Sequence, residues 1–328
     1  MNTPSRLLSS VALGSLLALA LWIVAPAATA GLYDSRVPVS DEAVDSRNAA
    51  IAAGLDRVLV KLTGRREVLA EPAAEAVRAL APQLVQQFRY QTDPESGERW
   101  LDMRFDEAAL QSALRANALR PWTGPRPRTL VWLVGEVQGR RTMLGAENAP
   151  MLLEGVREAA ADRGLPVILP LLDLQDQASL TAADLWNGFA ERILAASARY
   201  APDAVLVGRL STRGERVRGR WDFYPQTTAA GFESAGPTPD AVLSAGLDAA
   251  ADAIALRYAP AIGGAVARVP LAVSGIGSVE AYAGLVALLS RAGSVTETHL
   301  RRADGDRLWF DIAAETDAAG LQRELLLG

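Results

Sequence analysis

The sequence predicts three small units in series, of α/β and α+β type. Three observations carry this. Helical and alternating patterns interleave along the whole chain. One central stretch alternates fully apolar strands with helices, which is α/β rhythm. Pro/Gly-rich junctions near Pro125 and Gly263 separate stretches of different rhythm. The expected divisions are 1–30, 31–124, 125–262 and 263–328.

Residues 1–30 read as a secretory signal. Arg6 is the only charge. Val11 to Val24 (VALGSLLALALWIV) is apolar throughout and short for a bilayer span. Pro26 breaks the run, and Ala28-Thr29-Ala30 supplies the small residues of a cleavage site. Cleavage before Gly31 is expected, giving a periplasmic protein with no stable membrane span.

In the first unit, Ser40 is the expected start of a helix carrying Ile51, Leu55, Val58, Leu59 and Leu62, with Gly64 as its stop. A second helix is expected from Pro72 to about Leu80. Phe88, Tyr90 and Thr92 alternate, as do Leu101, Met103 and Phe105, around an Asp93–Gly97 turn. Asp106 caps a helix with Leu110, Ala113 and Leu114 inward. Pro121 to Arg128 reads as a linker.

In the middle unit, Leu130–Val134 (LVWLV) and Ala204–Leu210 (AVLVGRL) read as strands buried on both faces. Between them lie expected helices near 151–161 and 184–198 and a short strand at Val167–Leu169. This alternation predicts parallel pairing. Val217, Gly219, Trp221 and Phe223 then alternate with Arg216, Arg218, Arg220 and Asp222, a half-exposed antiparallel strand. A partner strand near 229–233 and a helix over 239–258 follow.

The last unit reads βαββα, a partial ferredoxin-like unit. Its strands hold Val269, Leu271 and Val273, then residues 295–302, then Leu308, Phe310 and Ile312. Ser278 caps the first helix, Asp304-Gly305 marks the hairpin, and Asp317 begins the last helix.

Composition narrows the chemistry. The chain carries a formal charge of −5, and loss of Arg6 leaves 32 basic against 38 acidic residues. An acidic chain is not drawn to phosphate backbones, so nucleic acid is not an expected partner. There is no cysteine, which excludes disulfides, thiolate chemistry and a lipidated cysteine after the signal. His299 is the only histidine, and no Gly-x-Ser-x-Gly elbow is present. His299 reads as a strand residue, and Gly275-Ile276-Gly277-Ser278 as a bend with a helix cap. Trp132, Trp186, Trp221 and Trp309 fall on apolar faces and read as core. No catalytic residue, metal ligand or cofactor is expected. The candidate partner-binding residues are Arg216, Arg218 and Arg220, a stripe suited to an acidic partner or, more blandly, a solvated face that discourages edge pairing.

The segment Val58-Leu59-Val60-Lys61-Leu62-Thr63-Gly64-Arg65 resembles the signature of a bacterial family catalogued as domain of unknown function twenty-sixty-six. The resemblance continues through Phe88-Arg89-Tyr90, Leu101–Phe105, Leu130–Leu133 and Asp203–Leu210, most of residues 31 to 260. It implies an exported protein of unassigned function, with no catalytic residues to carry over. The middle segment is also similar to the amino-terminal domain of the Tol-system β-propeller protein and to accessory domains of outer-membrane assembly proteins. The expectation is a non-enzymatic binding or assembly factor of the cell envelope with envelope protein partners. The alternatives are a module that binds glycan or a small envelope ligand through exposed tryptophans, and a carboxylate-dependent cell-wall hydrolase.

Overall fold

The computed structural model describes residues 31–94, 96–122, 124–137, 139–225, 230–259 and 266–327. The expected signal, residues 1–30, and the junction at Gly263 lie outside them. Three sheets follow one another along the chain, each with its own helices. The fold is mixed α/β and α+β.

The first sheet has the order β1 (Asp34–Pro38), β3 (Arg99–Phe105), β2 (Val85–Thr92), all antiparallel. Helix α1 (Val44–Thr63) lies across it and buries Ile51, Leu55, Val58, Leu59 and Leu62. It starts after Ser40, because the Asp41 carboxylate accepts the Ala43 N–H at 2.9 Å and holds residues 41–43 in a turn. It ends where expected: Gly64 is left-handed (φ 74°) and its N–H reaches Val60 O. The second expected helix is split into α2 (Pro72–Arg78) and α3 (Ala81–Leu84). Helix α4 (Glu107–Ala116) is capped by Asp106, which accepts the Ala109 N–H at 2.7 Å.

The second sheet is six-stranded. Its path runs β5 (Arg140–Met143), β4 (Thr129–Val137), β7 (Ala204–Arg213), β8 (Arg216–Tyr224), β9 (Ala230–Gly236). The short β6 (Val167–Ile168) shares the outer side of β4 with β5. As predicted, β4 pairs in parallel with β7, while β7, β8 and β9 are antiparallel neighbours. One face, with Leu133, Leu206, Trp221 and Phe223, is covered by α5 (Pro150–Asp162) and α9 (Pro239–Tyr258). The other face, with Leu130, Trp132, Val205 and Val207, packs against the helices that follow β6. These are α6 (Leu174–Ser179), α7 (Ala182–Asn187) and α8 (Ala190–Ser197). The single helix expected over 184–198 is broken because Gly188 is left-handed (φ 71°) and closes α7.

In the third unit, β10 (Ala267–Val273), β12 (Arg307–Ala314) and β11 (Val295–Asp304) form the sheet. Helices α10 (Val279–Arg291) and α11 (Ala318–Leu327) complete the expected βαββα order. Its core holds Val269, Leu289, Phe310, Ile312 and Leu321.

One further sequence expectation needs correction. Residues 121–128 are not an exposed linker. Trp122 is buried, and Arg126 donates to the carbonyls of Lys61, Arg163 and Gly164, so the stretch is pinned between the first two units. Three short elements, β1, β5 and α6, add to those that the sequence pattern predicts.

The loop entering α6 makes a pH-dependent contribution. Asp173 caps α6, accepting the Asp176 N–H at 3.0 Å. Arg199 donates to both Asp173 oxygens, at 2.7 and 2.9 Å, and holds its carboxyl at about 2 against an ordinary 3.8. A depressed carboxyl stabilises the fold fully above its unfolded value, and that contribution is lost as pH falls through its folded one. Stability should therefore decline between about pH 4 and pH 2. In Asp173→Asn that part of the decline should be absent, as read from urea midpoints across the range; an unchanged slope would refute the assignment.

Candidate functional site

Strand alternation sets the site. On β8, Val217, Trp221 and Phe223 point into the core, so Arg216, Arg218 and Arg220 share the opposite face and are exposed. The β7–β8 hairpin adds to them. Its register places Arg213 opposite Arg216, Ser211 opposite Arg218 and Arg209 opposite Arg220. The face is uncovered here because α7 and α8 reach only over the β4 side and the first half of β7.

The result is a recess of about 740 Å³ on the second sheet. Arg141 and Trp186 bound one side, with the Arg141 guanidinium 4.7 Å from the Trp186 ring centroid. Glu136 and Glu233 are the carboxylates in its lining, against six arginines. Arg209, 5% exposed, is spoken for: it donates to Asp222 Oδ2 at 2.6 Å and to Leu185 O at 2.6 Å. Arg213, Arg216, Arg218 and Arg220 make no ion pair with any described residue, although Glu233 sits directly across from Arg220. Their charges repel one another and face water.

The strand period displays three of these residues, Arg216, Arg218 and Arg220, and not Arg209, Arg213, Arg141 or Trp186. The hairpin signal was available. Folding the chain about Gly214-Glu215 superimposes Arg209, Ser211 and Arg213 on Arg220, Arg218 and Arg216. Arg141 and Trp186 arrive from β5 and α7 and leave no local signature.

The edge-protection reading of the stripe does not survive. β8 lies between β7 and β9, so it is no edge, and its charges have no pairing to discourage.

The other singled-out residues fall as follows. His299 is exposed on β11, its Nε2 3.4 Å from Glu297. The Gly275–Ser278 loop is occupied by its own chain: Gly275 N–H donates to the Asp306 carboxylate and Ile276 N–H to Asp306 O. Ser278 caps α10, as expected. Trp122, Trp132 and Trp221 are buried, and Trp100, Trp186 and Trp309 are half-buried. Among the described residues no tryptophan is fully exposed. No group of three or more His, Asp or Glu side chains converges on a metal position among them. No helix of the described residues is long and apolar enough to cross a membrane.

Residues 27–123 match the family model of a domain of unknown function (DUF8605). The match is to an uncharacterised domain, as the resemblance implied; it covers the first unit and carries a different number. No curated protein matches the chain. Among solved structures, the LpoB C-terminal domain from Salmonella enterica aligns with 39% of this chain and 92% of its own, at 15% identity and a TM-score of 0.25. Formyltetrahydrofolate deformylase from Burkholderia mallei aligns with 56% of this chain and 91% of its own, at 13% identity and a TM-score of 0.19. The Pseudomonas putida formyltetrahydrofolate deformylase gives 56%, 87%, 14% and 0.18 in the same order. Likenesses this slight carry no argument about function.

Proposed function

We propose that the chain is an exported factor of the cell envelope that works by binding a protein partner, and that Arg216, Arg218 and Arg220 lie at the contact. The observation that carries this reading is an uncovered sheet face with four exposed arginines and no acid paired to them. Such a face raises the local concentration of an acidic surface and orients it on approach. The division of the chain at 124 and 262 is part of the same reading, with the middle unit carrying the contact.

Export rests on the sequence of residues 1–30. Amino-terminal sequencing of protein recovered from cells should begin at Gly31. Recovery of Met1 in a membrane fraction overturns the periplasmic assignment.

Reversal of the three arginines to glutamate tests the contact. All three side chains point to solvent, so stability should change by no more than about 0.5 kcal/mol per site. In-cell crosslinking of the mature protein should lose its envelope partner by about tenfold or more. Unchanged capture would mean that the face is only solvated.

A further inference from the structure

A second recess, of about 580 Å³, opens where the three units meet, away from the arginine face. Tyr33 and Leu62 come from the first unit, Trp122 from the packed junction, and Leu288, Leu325 and Leu327 from the third. The walls are mostly apolar. Cavities of this size and lining, set at a junction between units, are where small ligands are held.

Arg126 stands in the wall, and its situation is unusual. The guanidinium lies over the Trp122 ring, 4.5 Å from the centroid. Three backbone carbonyls, of Lys61, Arg163 and Gly164, take three of its five N–H donors. It makes no ion pair with any described carboxylate. The nearby charge is another guanidinium, Arg163, whose own partners are Asp248 and Asp252. Burial, together with Arg163, brings Arg126 down to about 10. A cation taken from water without a counter-ion is costly, and here the counter-ion is missing on the cavity side.

The carboxylates in the lining are engaged elsewhere. Glu324 accepts from Gly293 N–H and from the N–H and hydroxyl of Ser294. Glu107 accepts from Gln111, which also donates to the Tyr33 hydroxyl at 2.9 Å. Arg291 donates to Ala287 O.

We infer that this recess binds a single-chain amphiphile with an anionic head group, the head on Arg126 and the tail along Trp122, Leu62, Leu288 and Leu325. The charge demands an anion, and the walls demand an apolar body attached to it. The inference does not depend on the arginine face.

Calorimetric titration of the full mature protein tests it, with dodecanoate, dodecyl phosphate and uncharged dodecanol as probes, all below micelle formation. One molecule of an anionic probe should bind per chain, at least about tenfold more tightly than dodecanol. Preference for the carboxylate or the phosphate then identifies the head group. Arg126→Gln should abolish the preference over dodecanol, and Arg126→Lys should keep part of it. Leu327→Trp, which fills the rim of the recess, should weaken every probe by about tenfold or more. Absence of saturable binding, or equal binding of dodecanol and the anions, overturns the inference. Should Arg126→Gln fail to fold by circular dichroism, Leu327→Trp decides: probe binding unaffected by it overturns the inference.

Discussion

Trp221→Ala is expected to lower the free energy of unfolding by about 3–5 kcal/mol. The indole is wholly buried between β8 and α9. Three glycines make room for it: a Cβ at Gly208, Gly219 or Gly246 would overlap the ring. Its Nε1 donates to Ser234 Oγ at 2.8 Å, and Ser234 in turn donates to Val242 O at 2.9 Å. Phe232 stacks beside it, 6.3 Å between centroids. Alanine would leave a large hole lined by glycines, which have no side chains to move into it, and a serine without its donor. Urea denaturation should show the loss as a lower midpoint at unchanged slope. A loss below about 1 kcal/mol would show that α9 collapses onto the sheet, contrary to this account. The complementary change gives the opposite of helix propensity. Gly246→Ala favours the helix by about 1 kcal/mol, yet the added methyl falls on the indole, at a typical overpacking cost of about 1–3 kcal/mol.

The second large effect is expected from Arg163→Met. Arg163 follows α5 and is 4% exposed. Its Nη1 donates to Asp248 O at 3.0 Å and Asp248 Oδ1 at 2.8 Å. Its Nη2 donates to Gly64 O at 3.1 Å, in the first unit, and to Asp252 Oδ1 at 2.6 Å. Arg66 reaches the same two aspartates from the first unit. One guanidinium thus ties the end of α1 to α9. Methionine keeps the apolar stem and removes every one of these bonds. The aspartates are partly solvated, so the cost belongs at the low end for a buried pair, about 3 kcal/mol. The transition should also broaden in scanning calorimetry, because the first unit loses one of its ties to the second while Arg66 and Arg126 keep theirs. A single sharp transition near the original temperature would assign that tie to packing alone.

Much of this fold was legible wherever one period dominated. α1 and α4 bury regular stripes, and Gly64 and Asp106 mark the stop of one and the start of the other. β4 and β7 are buried on both faces and read as unbroken apolar runs. β1 and β5 were illegible for a physical reason. Each is held by backbone bonds to a neighbour already in place, so its side chains carry little pattern: Asp-Ser-Arg-Val-Pro buries one apolar residue, and Arg-Arg-Thr-Met buries none fully. The six residues of α6 are too few to show a stripe, and only Asp176 among them is buried. The split of the helix over 184–198 was written in Gly188, but a glycine in a helical pattern does not by itself reveal its φ. The candidate site was half legible. A strand's period displays its own exposed face, whereas Arg141 and Trp186 join it through tertiary folding. The packed junction at 121–128 misled because proline and arginine mark linkers as a class. Here prolines stiffen a strut, and Arg126 bonds carbonyls on both sides of it.

The parallel pairing of β4 with β7 also decides the order in which the middle unit assembles. The β7–β8 and β8–β9 hairpins close over short connections, but Thr129 meets Ala204 only after α5 through α8 have been traversed. Loop closure of that span must be met before any pairing energy returns, so the hairpins are expected to form first and β4 to dock after them. The strand kept waiting is Leu130–Val134, apolar at every position and without a charge. Until it docks, such a stretch is apt to pair with another chain. A charge at Val131 or Leu133 would shield it in transit yet be fatal once the sheet closed.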